Sequence, residues 1–119
     1  HTHVLRESGK ATKIDIKLAG VFNSDEQSGV EYGSELIAFA SAVVGSDLGI
    51  LNSARQALRA AMGPDAVVSA SIIAAVFSLV DRAANGIGIF VEPMVLEPSA
   101  DFREQFGINQ FPSAANTLG

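Results

Sequence analysis

The chain has 119 residues, 48% of them hydrophobic, which is the size of one domain and excludes a disordered chain. Its 13 acidic and 8 basic residues give a net charge of −5, which argues against a nucleic-acid backbone as partner. It has no cysteine, so neither a disulfide framework nor a thiol nucleophile exists within these residues.

The first residues predict the last turns of a helix rather than its beginning. An apolar pair and then Gly9 follow His1-Thr2-His3, and no N-cap stands ahead of an apolar run. The chain also lacks an initiator methionine. We therefore expect a piece of a longer protein, whose upstream chemistry cannot be read from these residues.

The next stretch has two interpretations. Residues 11–19 predict a short helix that ends at Gly20, but the spacing of two between Ile14, Ile16 and Leu18 equally suits a strand. Residues 21–29 then predict a polar connection. Its turn-forming residues are Asn23, Ser24 and Asp25.

Three longer helices are predicted from the apolar pattern. Helical spacing predicts helices over residues 30–44 and 50–62, and Gly63-Pro64 separates the second from a helix over residues 64–85. This third helix is apolar nearly all round, which predicts a central helix with neighbours on every side and Phe77 in the core. Its uncharged run of 15 residues is shorter than the roughly 20 of a membrane span.

Residues 92–119 predict an extended C-terminal tail with one short helix near residues 99–105. They hold three of the four prolines and several apolar residues, which we expect to pack on a neighbouring subunit. Residues 88–91 are too short to carry a sheet. The predicted fold class is therefore all-α, with a helical domain over residues 1–91 and the tail over residues 92–119.

Charge is distributed unevenly along the chain. Residues 1–17 hold four basic and two acidic residues, whereas residues 25–47 hold five acidic residues and no basic one. A solvated face is the simpler interpretation. Docking of the basic stretch on the acidic stretch, within or between chains, is the alternative.

Few side chains suggest chemistry. His1 and His3 stand two apart, which points them away from each other on a helix, so we predict no metal site. Asp81 and Arg82 suit an ion pair, or a contact of Arg82 with the negative end of the helix. The Gly-x-Gly pair that follows lacks the strand-then-helix setting of a nucleotide loop, and we predict no cofactor.

The opening residues resemble the active-site helix of the alkylhydroperoxidase D-like, carboxymuconolactone decarboxylase family. In that family a Cys-x-x-Cys pair is followed, after three intervening residues, by a His, and then by a small residue and a Gly at the spacing of His1, Leu5 and Gly9. Leu5 departs from the usual Ala, whereas Gly9 agrees.

The later helices resemble the second half of the same family pattern. There an amphipathic helix, a turn, a buried helix with an aromatic residue and an Arg precede a short apolar exit, which is similar to residues 57–64, Phe77 and residues 81–87. The resemblance covers roughly residues 1–91. It implies a helical bundle of the alkylhydroperoxidase D-like type that assembles into homo-oligomers, often trimers or hexamers, and acts on a small molecule.

The resemblance also implies a site. In peroxidase-type members two cysteines reduce a peroxide while a Glu and a His pass protons, since the thiolate is the nucleophile. Here both cysteines and the Glu would precede His1, and His1 would be the catalytic proton carrier, in a small cavity near the Ala-rich face of the 64–85 helix. Decarboxylase-type members lack the redox pair and use acid–base groups, a role that His1 also suits.

Three hypotheses about function follow. The first is a peroxidase-type oxidoreductase whose cysteines lie upstream, and the second is a cysteine-free acid–base enzyme acting on a small carboxylated or lactone substrate. The third is a helical oligomer without catalysis. Since the first ten residues hold no apolar stretch of signal-peptide length, we expect a cytoplasmic protein with no membrane partner.

Overall fold

The computed structural model describes residues 1–23 and 26–117. These residues form helices and turns and contain no strand, which confirms the all-α class. The elements are α1 (Thr2–Thr12), α2 (Ala19–Phe22), α3 (Gly33–Val44), α4 (Leu48–Met62), α5 (Pro64–Ile87), α6 (Pro93–Leu96), α7 (Ala100–Gln105), a 3-10 turn (Ile108–Gln110) and α8 (Ala114–Thr117).

The core lies between α3, α4 and α5. Phe39 of α3 and Leu58 of α4 are fully buried, and two alanines, Ala42 and Ala54, fill the space between them. The partly buried residues around this cluster are Leu36, Val43, Leu51, Val67 and Ala70. The three helices occupy nearly the ranges predicted, because their apolar residues recur at helical spacing.

Local signals set the ends of these helices. Asp47 caps α4, its Oδ1 accepting hydrogen bonds from the backbone N–H groups of Gly49 and Ile50 at 2.8 and 3.0 Å. Gly63, at φ 87°, separates α4 from α5, and Pro64 occupies the first turn of α5. The helix predicted from residue 30 begins instead at Gly33, because residues 30–32 form a turn in which Tyr32 has φ 54°.

The first helix does not end at Gly9 as predicted. It continues to Thr12, and Gly9 is buried because the following chain crosses it: a Cβ at Gly9 would lie 3.0 Å from the Ile14 carbonyl oxygen and from Ile16. Residues 14–18 are neither the helix nor the strand that the sequence left open. Gly9 therefore lets two segments approach closely, a role that a glycine in a sequence suits as well as ending a helix.

Gly20 likewise lies inside a helix, α2, rather than ending one. A Cβ on it would come within 2.3 Å of the backbone at Gln27 and Ser28, so α2 packs directly on this connection. Lys17 N–H donates to the Ser28 carbonyl at 2.8 Å and ties the same two segments together. The predicted turn at Ser24 and Asp25 lies outside the described residues.

The prediction that α5 is buried all round is wrong for the chain by itself. No residue of α5 is buried, and Phe77 is 41% exposed. The side of α5 that meets α3 and α4 consists of half-buried, mostly small residues, namely Ala66, Val67, Ala70, Ser71, Ala74 and Ser78. Small residues let the helices approach closely, and the large aliphatic residues of α5 are left on the opposite side.

By length and composition α5 is also long and apolar enough to cross a membrane. Core helices of soluble proteins meet the same criterion, so this finding is weak evidence for a span.

Residues 92–117 are more helical than predicted. The expected short helix is present as α7, but α6, the 3-10 turn and α8 accompany it. Prolines reduced the predicted helix content here, yet Pro93 stands in the first turn of α6, where its missing N–H costs nothing.

The C-terminal segment packs on α1 and α2 of its own chain, and its expected packing on a neighbouring subunit stays a prediction. Arg6 of α1 forms an ion pair with Asp101 at 2.7 Å, donates to the Pro98 carbonyl, and lies 5.1 Å from the ring centroid of Phe102. The pKa of Asp101 is lowered, first by the backbone N–H of Phe102 and then by Arg6.

A ring stack and three hydrogen bonds also hold this segment. The rings of Phe22 in α2 and Phe106 stack with centroids 4.3 Å apart. The buried Arg103 donates to Ser99 Oγ at 2.9 Å, to Asn109 Oδ1 at 3.0 Å and to the Leu96 carbonyl at 2.7 Å. A buried guanidinium with three acceptors fixes the turns around it.

Candidate functional site

His1, the residue that the sequence singled out, lies against the middle of α5. Its ring meets the ring of Phe77 edge-on, with centroids 4.6 Å apart and an interplanar angle of 84°. His1 is exposed and occupies the N-cap position of α1 without forming a side-chain cap. The edge-on contact places the imidazole beside the central helix, where aromatic pairs gain about 0.5–1.5 kcal/mol.

Phe77 is also part of the wall of an open groove between α3 and α5. The groove has a volume of about 610 Å³. It is lined by Ala40, Ser41 and Val44 from α3 and by Ala74, Phe77, Ser78, Asp81, Arg82 and Asn85 from α5. We call this cavity the α3–α5 groove.

The composition of α5 explains why the groove is open. Up to Ala74 the side facing α3 carries mostly small residues that allow close packing, whereas beyond it the groove is lined by Phe77 and by four polar residues, Ser78, Asp81, Arg82 and Asn85. Charged and amide groups keep their hydration when no partner replaces it, so this end of α5 does not close on α3. The groove thus has apolar walls around Phe77 and polar groups at the C-terminal end of α5.

The charges of the groove are not neutralised by ion pairs of the kind predicted. Every ion pair among residues 1–23 and 26–117 involves Arg6 or Lys10, so Asp81 and Arg82 have none. Arg82 Nε instead donates to Ser78 Oγ at 3.3 Å. Most guanidinium N–H groups of Arg82 therefore remain available to a ligand or a partner.

No ion pair joins the two charged stretches within the described residues, although the backbone N–H of Lys17 donates to the Ser28 carbonyl. Arg6 pairs with Asp101 and with Glu7, and Lys10 pairs with Glu7 at 2.7 Å. The hydrogen bond from Lys10 lowers the pKa of the Glu7 carboxyl. The basic residues of α1 thus form ion pairs within α1 and with the C-terminal segment.

His3 makes no ring contact with His1 or Phe77 within the described residues, and neither histidine is among the residues that line the α3–α5 groove. Its Nδ1 is buried without a hydrogen-bond partner within the described ranges. In the same ranges no three His, Cys, Asp or Glu side chains lie together as metal ligands would.

A second cavity was not predicted from the sequence. It has a volume of about 520 Å³ and lies between α2, α3 and the start of α4. Its walls include Ile37, Ala42 and Ile50, with the carboxylates of Glu26 and Asp47 among its polar groups. The run of acidic residues was visible in the sequence, but the position of Gly20 of α2 on the same cavity as α3 was not.

Comparison with protein-family models, curated proteins and solved structures gave no match.

Proposed function

We propose that this chain belongs to a homo-oligomeric, alkylhydroperoxidase D-like peroxidase, whose redox cysteines precede His1 and whose proton carrier is His1. The observation that supports this best is the edge-on contact of His1 with Phe77, which lines the α3–α5 groove. A substrate in the groove would then lie near an imidazole, the side chain best suited to moving protons at neutral pH.

In the proposed reaction, a cysteine thiolate attacks the peroxide, its sulfur bonds to the distal oxygen, and the O–O bond breaks. His1, in its protonated form, gives a proton to the departing alkoxide, which leaves as an alcohol. The second thiol then condenses with the sulfenic acid to give a disulfide and water, and an external dithiol restores both thiols by exchange.

The groove supplies distinct environments for the two ends of an organic peroxide. Val44, Ala74 and Phe77 offer an apolar wall for the organic group, while Ser78 and Arg82 offer donors to its oxygen atoms. We therefore expect organic hydroperoxides to be better substrates than hydrogen peroxide.

The second candidate is a cysteine-free acid–base enzyme for a small carboxylated or lactone substrate. Arg82 favours it, because its guanidinium lines the groove and no carboxylate of the described residues pairs with it. In this reaction Arg82 would hold the substrate carboxylate and His1 would be the acid or base. A non-catalytic oligomer remains the third hypothesis.

The first test is the coding sequence upstream of the codon for His1. A Cys-x-x-Cys ending four residues before His1 favours the peroxidase, and a polar residue in place of the first cysteine favours the acid–base enzyme. The protein extended by this segment is then assayed for cumene hydroperoxide consumption with dithiothreitol as reductant.

His1→Ala should slow peroxide consumption by about 10²–10⁴-fold, the usual contribution of a positioned acid or base. His3→Ala is the matched control, since His3 is the same residue type on the same helix, and it should leave the rate within a few-fold. Equal rates for His1→Ala and the parent would remove His1 from the reaction.

A further inference from the structure

The outward side of α5 is a continuous apolar surface. Six large aliphatic side chains on it are between 46% and 68% exposed: Val68, Ile72, Ile73, Val76, Leu79 and Val80. No charged residue interrupts the sequence between Asp65 and Asp81. We call these six residues the outer face of α5. Soluble monomers rarely leave so continuous an apolar surface in water.

The order of residues along this face suggests what covers it. Asp65, Val68, Ile72, Ala75, Leu79 and Arg82 follow one another at alternating spacings of three and four. This is the spacing of the seam between two helices in a coiled coil. An acidic residue stands at one end of the seam, a basic residue at the other, and aliphatic residues lie between them.

This seam is complementary to itself when two copies run antiparallel. In that register Asp65 lies opposite Arg82 of the partner subunit, Val68 opposite Leu79 of the partner subunit, and Ile72 opposite Ala75 of the partner subunit. A large residue meets a small one at the centre of the seam, and opposite charges meet at both ends. A parallel pair would instead bring like charges together at each end.

We infer that α5 is a homodimer contact, in which the outer faces of two copies pack antiparallel about a two-fold axis. This inference builds on the homo-oligomer of the proposed function and gives it a surface and a symmetry. An isologous contact of this kind is the commonest way in which identical subunits associate, and trimers of such dimers give a hexamer.

The structure favours a second copy over a lipid surface. Helices that lie on membranes carry Lys and Arg along their polar side, whereas the polar positions of α5 carry three serines, two aspartates, one asparagine and a single arginine. The net charge of −5 also disfavours binding to anionic lipid.

The inferred contact brings a partner residue next to the groove. Arg82 lines the α3–α5 groove and, in the dimer, would pair with Asp65 of the partner subunit. The guanidinium has five N–H donors in a fixed fork, so this pairing leaves donors for a ligand.

Charge exchange tests the inference without disturbing the apolar seam. Sedimentation equilibrium of the whole chain should give a dimer or a multiple of it. Asp65→Arg and Arg82→Asp should each weaken association by about tenfold or more, since each places like charges opposite one another at both ends. The double variant restores opposite charges in the antiparallel register and should associate within about threefold of the parent.

Two further variants test the apolar part of the seam. Ile72→Glu and Leu79→Glu should weaken association by roughly a hundredfold or more, because each buries two uncompensated carboxylates in one dimer. Leu48→Glu is the control, since Leu48 is 74% exposed but lies in the first turn of α4. It should associate as the parent does, and circular dichroism should show unchanged helix content in all of these variants.

Three results would overturn the inference. The first is a monomeric parent chain at about 50 μM, a concentration at which dimers of micromolar Kd form. The second is no recovery of association in the double variant, and the third is flotation with uncharged phosphatidylcholine vesicles in place of self-association. None of these measurements depends on catalysis, so the peroxidase assignment stands or falls separately.

Discussion

Phe39 and Phe77 provide the most direct test of the fold, because they are the same residue type in very different surroundings. Phe39 is 1% exposed in the core between α3, α4 and α5, whereas Phe77 is 41% exposed and contacts the His1 ring. Phe39→Ala should lower the free energy of unfolding by about 3–5 kcal/mol, since it removes a buried ring and leaves a cavity.

Phe77→Ala should lower the free energy of unfolding by about 1–3 kcal/mol, less than Phe39→Ala. A fully buried Phe contributes roughly 1.5–3 kcal/mol by transfer, and only part of that applies to a ring left partly in water. Loss of the edge-on contact with His1 adds a few tenths of a kcal/mol to about 1.5 kcal/mol at most. No closed cavity forms, so no cavity cost is added.

Urea denaturation followed by circular dichroism measures both losses. All samples need one protein concentration, because association adds to apparent stability. The Ile72→Glu background removes the inferred dimer contact and leaves the single chain to be measured. Equal losses for the two substitutions would refute the burial argument and return Phe77 to the core.

Three further predictions concern single positions. Gly20→Ala should lower the free energy of unfolding in urea denaturation by roughly 1–3 kcal/mol, because the added Cβ would lie 2.3 Å from backbone atoms. Gly86→Ala should raise it by about 0.5–1 kcal/mol, because the added Cβ meets nothing within 4 Å. Asp47→Ala should cost about 1 kcal/mol while Asp47→Asn, which keeps the cap, changes thermal unfolding little. At pH values above 3.8, the ordinary pKa of the Asp side chain, the lowered pKa of Asp101 stabilises the fold, and this contribution is lost as the pH falls through the folded pKa. The protection factors of the amides in residues 93–117, taken relative to the intrinsic exchange rate at each pH, should therefore fall in acid, and Asp101→Asn should lower them at neutral pH; protection that rises in acid would contradict the sign.

The long helices were predictable from sequence because each carries its own signals. Apolar spacing marks α3 and α4, and Gly63-Pro64 marks the boundary between α4 and α5. Glycines were less informative, since a glycine both ends helices and permits close contacts. At Gly9 and Gly20 the neighbouring segment decides between the two roles, and that segment is known only from the tertiary structure.

The burial of α5 could not be predicted, because an almost uniformly apolar helix does not show by periodicity which side faces inward. Residue size decides it: the small side chains face α3 and α4, and the large ones face outward. For the site, the sequence indicated His1 and an Ala-rich helix, and the structure places the His1 ring on Phe77 of that helix. The α3–α5 groove forms where the polar end of α5 lies beside the end of α3, and the sequence does not show that these two ends are neighbours.

The α3–α5 groove and the outer face of α5 have one physical origin. Its inner side is small and then polar, so it packs closely at its start and leaves a groove at its end, while its large residues are left for another molecule. Arg82 belongs to both, since it lines the groove and ends the apolar seam. If the two proposals hold together, Asp65→Asn should weaken the dimer and also alter the KM for an organic peroxide, although Asp65 does not line the groove of its own chain. A weaker dimer with an unchanged KM would show that assembly and substrate binding are independent.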